Sequence, residues 1–423
     1  MSGQSGPIRG NESFTVGRLG GMPMKVLVLS SLYPNDVQRR HGIFIEHRVA
    51  HTRAPGDEFR VVAPVPWFPS ASPRWGAYAD FARVPGQDHR RDLEIIHPRF
   101  PAIPKAGMTA APWLMAAALA RPIARLRRSF DFDVIDSYYL YPDGVAAGLL
   151  AQWFDRPFLM TALGSDVSLI PQWRPARAMI LAAIDRSAAT TTVAAALRNA
   201  LIGMGADAAK LTVVEHGVDL ELFRPPADRA ATRAALGLTG PTVLSVGHLI
   251  DLKGHDFAIR AVAGLPGVTL MIAGHGPREG TLRDLASSLG VAERVRFLGH
   301  VDQQQLPALY GAADVTASCS DREGIANVLL ESLASGVPVW GSPEVVRVPE
   351  AGLLVANRSD TAIREGIARL LADLPDRAAT RRYGERYNWR DTGRKHRALL
   401  AEAVAGREAP RAPAAGRLTG HQH

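Results

Sequence analysis

The feature that most limits this chain is an alternation that begins twice. Short unbroken apolar runs of strand length are separated by segments with helical periodicity, a pattern that implies parallel sheets covered on both faces. The first set of strand-like runs is Lys25–Ser30, Phe59–Ala63, Val134–Ile135 with its flanks, Phe158–Thr161, Ala189–Val193 and Leu211–Val214. Helical segments between them are expected at Phe44–Thr52, Met115–Arg128, Gly144–Phe154, Ala176–Arg186 and Ala194–Ile202. The second set of strands is Val243–Val246, Leu270–Ala273, Val295–Leu298, Val315–Ala317 and Val337–Trp340. Its helices are expected at His255–Ala263, Arg278–Leu289, Gln304–Tyr310, Asn327–Ser335 and Thr361–Leu374. Two doubly wound α/β domains of Rossmann-like type, facing each other across a cleft, are the fold class this predicts. Between the sets, Gly217-Val-Asp-Leu-Glu-Leu-Phe-Arg-Pro-Pro226 is rich in turn residues and ends in two prolines that cannot continue a helix. The linker is therefore placed at 216–226.

Length supports two cores, because 423 residues exceed what one hydrophobic core organises. With 47% hydrophobic and 21% charged residues, the composition is that of a folded chain. A single cysteine, Cys319, rules out internal disulfides and cysteine-based structural zinc, and fits a reducing, cytoplasmic compartment. No apolar run reaches the roughly 18–20 residues of a membrane span. Residues 1–23 read as a disordered leader without a signal-peptide core, and 406–423 as a disordered tail. A C-terminal helix at 389–405 is expected to pack back on the first domain. The net charge of +8 is uneven: through Lys210 there are 24 basic against 17 acidic residues, and afterwards 25 against 24. A basic first half suggests an anionic partner, or is simply arginine-rich solubilisation.

Chemistry is written most densely in Asp321-Arg-Glu-Gly-Ile-Ala-Asn-Val-Leu-Leu-Glu331. Glu323 falls at a strand-to-helix turn, and Glu331 lies two helical turns on. Gly324 admits close approach of backbone amides, and the free N–H groups of the following helix suit a diphosphate. The two carboxylates then grip vicinal hydroxyls of a sugar and a ribose; in the alternative reading Glu323 is a helix cap and Glu331 a solvated charge. Gly247-His-Leu-Ile-Asp-Leu-Lys-Gly254 and Ala273-Gly-His-Gly-Pro277 follow successive strands, where phosphate-binding loops form in doubly wound folds.

The ordered set Gly217-Val-Asp219, Gly247…Lys253-Gly254, Gly274-His-Gly-Pro277, Phe297-Leu-Gly299 and Glu323-Gly-x-x-Asn-Val-x-x-Glu331 resembles glycosyltransferase family 4, with the GT-B fold. Ser30-Ser-Leu-Tyr-Pro34, His41-Gly-Ile-Phe-Ile-Glu46, Tyr141-Pro-Asp-Gly144 and Gly164-Ser-Asp166 resemble the branch that builds bacterial cell-surface polysaccharides, such as the teichuronic acid transferases. The resemblance implies a retaining, metal-independent transferase using a UDP- or GDP-linked sugar and no other cofactor. It puts a glycan or lipid-linked acceptor on the domain at 24–215 and the nucleotide sugar on that at 227–388. Lys253, Glu323 and Asp166 become the catalytic set. The donor would be met by His248, Gly274, Gly299, Val301, Gly324, Ile325, Ala326, Asn327 and Glu331, with the base near Gly299–Val301 and the ribose on Glu331. Gly42, Glu46 and Tyr138 fall on the acceptor side. Departures from the family pattern are His248 in place of the usual arginine, Leu163 before Gly164, Tyr138 where histidine is frequent and His216 where asparagine is usual. The stretch from Gly341 to Gly352 is also short.

Asp131-Phe-Asp133 matches a metal-binding pattern, but it precedes a strand where that pattern works at a strand end. Neither a metal nor a nucleic-acid partner is expected. Arg121, Arg125, Arg127 and Arg128, beside Leu126 and Phe130, form either a contact with the anionic inner face of a membrane or a solvated helix face. Two rival functions stay open: a nucleotide-sugar 2-epimerase of the same architecture, and a non-catalytic binding subunit.

Overall fold

A computed structural model of the chain describes residues 22–39, 41–102, 107–320, 326–341, 345–354 and 359–408. Both expected Rossmann-like domains are present. The first contributes β1 (Lys25–Leu29), β2 (Glu58–Val62), β3 (Val65–Pro66), β4 (Gln87–Arg90), β5 (Leu93–Ile96), β6 (Arg99–Phe100), β7 (Val134–Tyr138), β8 (Phe158–Ala162), β9 (Ala189–Thr192) and β10 (Leu211–Val213). Among the described residues eight of these make one sheet in the order β10-β9-β8-β7-β1-β2-β5-β4, parallel except for β4 against β5. Strands β3 and β6 pair separately. The connecting helices are α1 (Ile43–Thr52), α2 (Ala77–Arg83), α3 (Ala111–Arg127), α4 (Val145–Phe154), α5 (Ser165–Ser168), α6 (Arg174–Arg186) and α7 (Ala195–Gly203). Every residue of β7 and β8 is buried, which is why those runs carry no polar alternation.

In the second domain α8 (Arg229–Ala235) leads into β11 (Thr242–Val246), α9 (His255–Ala263), β12 (Thr269–Ala273), α10 (Glu279–Ser288), β13 (Val295–Gly299) and α11 (Leu306–Ala312). Then follow β14 (Val315–Ala317), α12 (Asn327–Ala334), β15 (Val339–Gly341), β16 (Gly352–Leu354), α13 (Asp360–Ala372) and α14 (Arg377–Gly384). The parallel order is β13-β12-β11-β14-β15-β16, so the direction of winding reverses between β11 and β14. In such sheets a ligand binds outside the carboxyl ends of the strands, at this reversal. The first sheet reverses in the same way between β1 and β7.

The chain crosses between the domains twice. After β10 it runs through Gly217, where a side chain would meet the Trp389 amide nitrogen at 2.4 Å. It returns at Tyr387–Trp389, and the Val218 N–H donates to the Tyr387 carbonyl at 2.8 Å. The last helix, α15 (Trp389–Glu408), then lies along α1. Gly393 permits that packing, since a Cβ there would fall 2.0 Å from the His51 carbonyl oxygen. The buried His396 ring sits 3.0 Å from both oxygens of the buried Asp136, and Arg397 forks onto Asp57 at 2.8 and 2.9 Å.

The hairpin β4–β5 leaves little trace in the apolar pattern, because β4 is polar and β5 is only four residues long; it turns at Arg91-Asp92, both with positive φ (46° and 60°). Glycine and asparagine usually signal such turns, and this one carries neither. On α3, Phe130 is buried, Leu126 packs on the core, and Arg127 pairs with Asp131 at 2.7 Å. Arg121, Arg125 and Arg128 are exposed, as is Trp113 on the same helix. Asp131 and Asp133 form a turn entering β7, the former paired with Arg127 and Arg156, the latter accepting from the Lys25 amide at 2.8 Å. No described helix is long and apolar enough to cross a membrane.

Candidate active site

Three turns at the carboxyl ends of β11, β12 and β13 are laced together by their backbones. Gly247 N–H donates to the Ala273 carbonyl at 3.0 Å, Leu249 N–H to His275 at 3.0 Å, and Gly274 N–H to Gly299 at 2.8 Å. This lacing is what the glycines are for. A Cβ on Gly274 would sit 1.8 Å from the Gly247 carbonyl oxygen, and one on Gly276 would sit 2.6 Å from that of Leu249. Gly299 takes positive φ (64°) at the end of β13, next to Val301. His248, His275 and His300, one from each turn, are all exposed and stack edge to face, with centroids 5.2 and 5.4 Å apart. His248 is thus one end of a histidine column, which reading positions singly did not reveal.

Lys253 ends the one-turn 3-10 segment Asp251–Lys253, and its half-buried methylenes lie against Gly247. Across the reversal point, α12 starts with Ala326 in an extended cap that makes no side-chain hydrogen bond. Asn327 follows, its buried Oδ1 without a hydrogen-bond partner among the described residues. Glu331, one turn later, accepts from the Tyr310 hydroxyl at 2.8 Å. Burial pushes the Glu331 carboxyl up to about 7, with the Tyr310 hydrogen bond working in the opposite direction. A helix-surface glutamate in water would not be held this way, so the solvated-charge reading of Glu331 is excluded. Tyr310 itself carried no sequence signal beyond an apolar helix position.

Glu331 and Asn327 face the first domain across a narrow cleft of about 50 Å³, whose walls include Phe44 and His47 of α1, Asp219, Gln303 and Trp389. His47 stacks on Trp389 at 5.7 Å, and burial, reinforced by Arg91, holds its pKa down at about 4, so the ring is neutral. His216, where the family pattern has asparagine, is fully buried between Phe44 and Trp389 at 5.1 and 5.8 Å. Burial lowers its pKa well below the usual value. It packs the crossing between domains as a neutral aromatic.

The first domain closes its own loops with buried carboxylates. Asp143 accepts from both the amide and the hydroxyl of Ser31, which joins the turn after β7 to the turn after β1. Its pKa is pushed up to about 7 by burial, against the pull of those hydrogen bonds. Asp166 accepts from the amides of Leu140 at 2.9 Å, Gly164 at 2.7 Å and Leu163 at 3.1 Å, joining the turns after β7 and β8. Fully buried and saturated with backbone donors, Asp166 positions these loops; it has no lone pair aimed at a substrate. Its place in the catalytic set is therefore corrected.

The acceptor-side residues are likewise redistributed. Tyr138 is fully buried under α15, its hydroxyl donating to Asp136 at 2.9 Å, and offers no surface to an acceptor. Glu46 is buried and paired with Arg90 at 2.8 Å and Arg91 at 3.3 Å, so it secures the β4–β5 turn. Gly42 precedes α1 with φ 69°, and a Cβ there would collide with the Leu32 carbonyl oxygen at 1.5 Å. It fixes the approach of the turn after β1 to α1. Glu323, Gly324 and Ile325 lie outside the described residues.

Comparison with known proteins agrees with this architecture. Residues 228–387 match the family described as Glycosyl transferases group 1, and residues 80–222 that described as Glycosyltransferase Family 4. The chain is 37% identical over 221 residues to a GDP-mannose-dependent alpha-(1-6)-phosphatidylinositol monomannoside mannosyltransferase of Mycobacterium tuberculosis, covering 48% of this chain and 57% of that one. It is 34% identical over 223 residues to a D-inositol 3-phosphate glycosyltransferase of Mycobacteroides abscessus, covering 49% and 50%. The matched region thus spans about half the length of these curated relatives. Among solved structures, sucrose-phosphate synthase from Thermosynechococcus elongatus superposes with a TM-score of 0.72 at 21% identity, over 91% of this chain and 100% of that one. Anabaena Alr3699/HepE in complex with UDP gives 0.68 at 18%, over 91% and 100%. The chain thus joins a region matching Glycosyltransferase Family 4 to one matching Glycosyl transferases group 1, on the GT-B fold.

Proposed function

We propose that this chain transfers a hexosyl group from a nucleotide diphosphate sugar to a glycan or lipid-linked acceptor, retaining the anomeric configuration and using no metal ion. The observation that carries the proposal is the meeting of Lys253, the uncapped start of α12 and the half-buried Glu331 carboxylate at one winding reversal. This set suits a diphosphate linked to a ribose: two sources of positive potential, with a hydroxyl-accepting carboxylate one helical turn beyond. The ribose hydroxyls donate to Glu331, and the base lies along the Gly299–Val301 backbone. Lys253 and α12 stabilise the charge that develops on the leaving diphosphate. Glu323 and Gly324 retain their assignment to the transferred sugar and the diphosphate. The acceptor oxygen bonds to the anomeric carbon as the carbon–phosphate-oxygen bond breaks, and the acceptor proton passes to the departing phosphate on the same face.

GDP-mannose is the first donor to try, because the Mycobacterium tuberculosis relative is named as dependent on it. The acceptor class follows the same relatives and the resemblance to polysaccharide-building transferases. Transfer or slow donor hydrolysis is followed by mass spectrometry in wild type and Lys253→Ala. Losing a charge-assisted contact made mainly in the transition state lowers kcat about 30- to 1000-fold. Wild-type kinetics in the variant would remove Lys253 from the site.

A further inference from the structure

A second cavity, of about 730 Å³, opens at the opposite end of α1 from the cleft. It lies where His51–Ala54, Thr212–Val214 and the first half of α15 meet, beside the crossing between domains. Its floor is apolar: Val213, the buried Val214 and the buried Leu399. Its rim is cationic, with Arg53, Arg390, Arg394 and Lys395 all exposed. Among the described residues no carboxylate is part of its lining, though Arg397 on its wall forks onto Asp57 behind it. Arg394 is shared with Asp391 at 2.9 Å, and Arg53 donates to the Arg91 carbonyl at 3.3 Å. Arg390 and Lys395 have no ion-pair partner among the described residues.

We infer that this cavity binds a phosphate-headed amphiphile, with its headgroup on the arginine–lysine rim and its chain over the valine and leucine floor. Each half of the surface asks for a different half of the ligand. Guanidinium groups hold phosphate oxygens in pairs, so the rim selects an anion and tolerates its partial desolvation. A free inorganic anion would leave the floor wet, while an uncharged amphiphile would leave Arg390 and Lys395 without a counter-charge. The volume lies within the range of small-molecule sites, enough for one such molecule and not for a bilayer patch. The donor cleft differs in kind: it is built from glycine turns, an uncapped helix start and a carboxylate. The site is independent of the proposed transfer reaction, so either can fail without the other.

The test is calorimetric titration of the full chain with dodecyl phosphate, inorganic phosphate and dodecyl maltoside, each kept below micelle formation. Dodecyl phosphate is expected to bind with one-to-one stoichiometry and the other two at least about tenfold more weakly. Two variants locate the site. The triple change Arg53→Gln, Arg390→Gln, Lys395→Gln should weaken dodecyl phosphate at least about tenfold by removing the headgroup contacts. Ala398→Phe, on the cavity wall, should weaken it by filling the space for the chain. Both variants should show a cooperative thermal unfolding transition like that of wild type, which shows that they fold. Equal binding of dodecyl phosphate and phosphate, equal binding of dodecyl phosphate and maltoside, or unchanged affinity in both variants overturns the inference.

Discussion

Donor binding should be coupled to proton release from Glu331. The free carboxyl titrates at about 7 because burial disfavours its charged form. Ribose hydroxyls donate more strongly to the ionised form, whose two oxygens both accept, so a bound donor pulls the pKa down and a proton leaves. If only the carboxylate binds, the apparent dissociation constant scales as 1 + 10^(pKa − pH). Donor affinity is then roughly 30-fold below its alkaline limit at pH 5.5, about twofold below at pH 7, and flat above pH 8. Near pH 7 about half a proton is released per donor bound. The measurement is calorimetry with GDP-mannose, whose diphosphate bears no group titrating in this range, in buffers of different ionisation enthalpy. Glu331→Gln should bind more weakly at pH 8 and lose the acid limb. Stability supplies the sign check: a carboxyl raised from 4.5 to about 7 in the folded state loses stability as pH climbs between those values. Glu331→Gln should therefore gain stability relative to wild type at pH 8, by at most roughly 3 kcal/mol. A donor affinity that is flat from pH 5.5 to 8, with no proton release, refutes the reasoning.

Other outcomes follow from the packing. Asp166→Ala strands three loop amides in the interior and should cost about 2–4 kcal/mol in denaturant unfolding, while donor affinity stays within about twofold; a neutral effect on stability would contradict its positioning role. Gly393→Val drives a side chain into the His51 carbonyl and should cost about 2 kcal/mol or more by prying α15 from α1. Wild-type stability there would mean that the contact is not close in solution. His248→Arg puts a permanent guanidinium at the turn after β11 and should tighten donor binding, and unchanged affinity would show that this side chain does not face the diphosphate.

The fold was legible because strands buried on both faces leave unbroken apolar runs, as β7 and β8 do, and because those runs restart after the Pro225–Pro226 boundary. The polar hairpin β4–β5 left no such trace. Its pairing is held by Glu46 and by turn residues whose positive φ is invisible in composition. Spacing pointed to Lys253, Asn327 and Glu331, which the fold puts on a strand-end turn and the first turns of one helix. It did not find Tyr310 or the stacking of His248 with His275 and His300, because these contacts join segments distant in sequence. The first-domain carboxylates and Tyr138 misled for the opposite reason: motif position brought attention to them, whereas burial decides their chemistry. Asp166 and Tyr138 are fully enclosed, and their hydrogen bonds are spent inside the protein.

The central claim is that the second domain holds a nucleotide sugar at the β11–β14 reversal. The most direct measurement is a titration of wild type, Lys253→Ala and Asp166→Asn with GDP and UDP, and with their mannose and glucose conjugates, at pH 8. Wild type and Asp166→Asn should bind at least one nucleotide sugar saturably, with binding weakened about tenfold or more in Lys253→Ala. Binding by no nucleotide, or equal affinity in all three proteins, would contradict the claim.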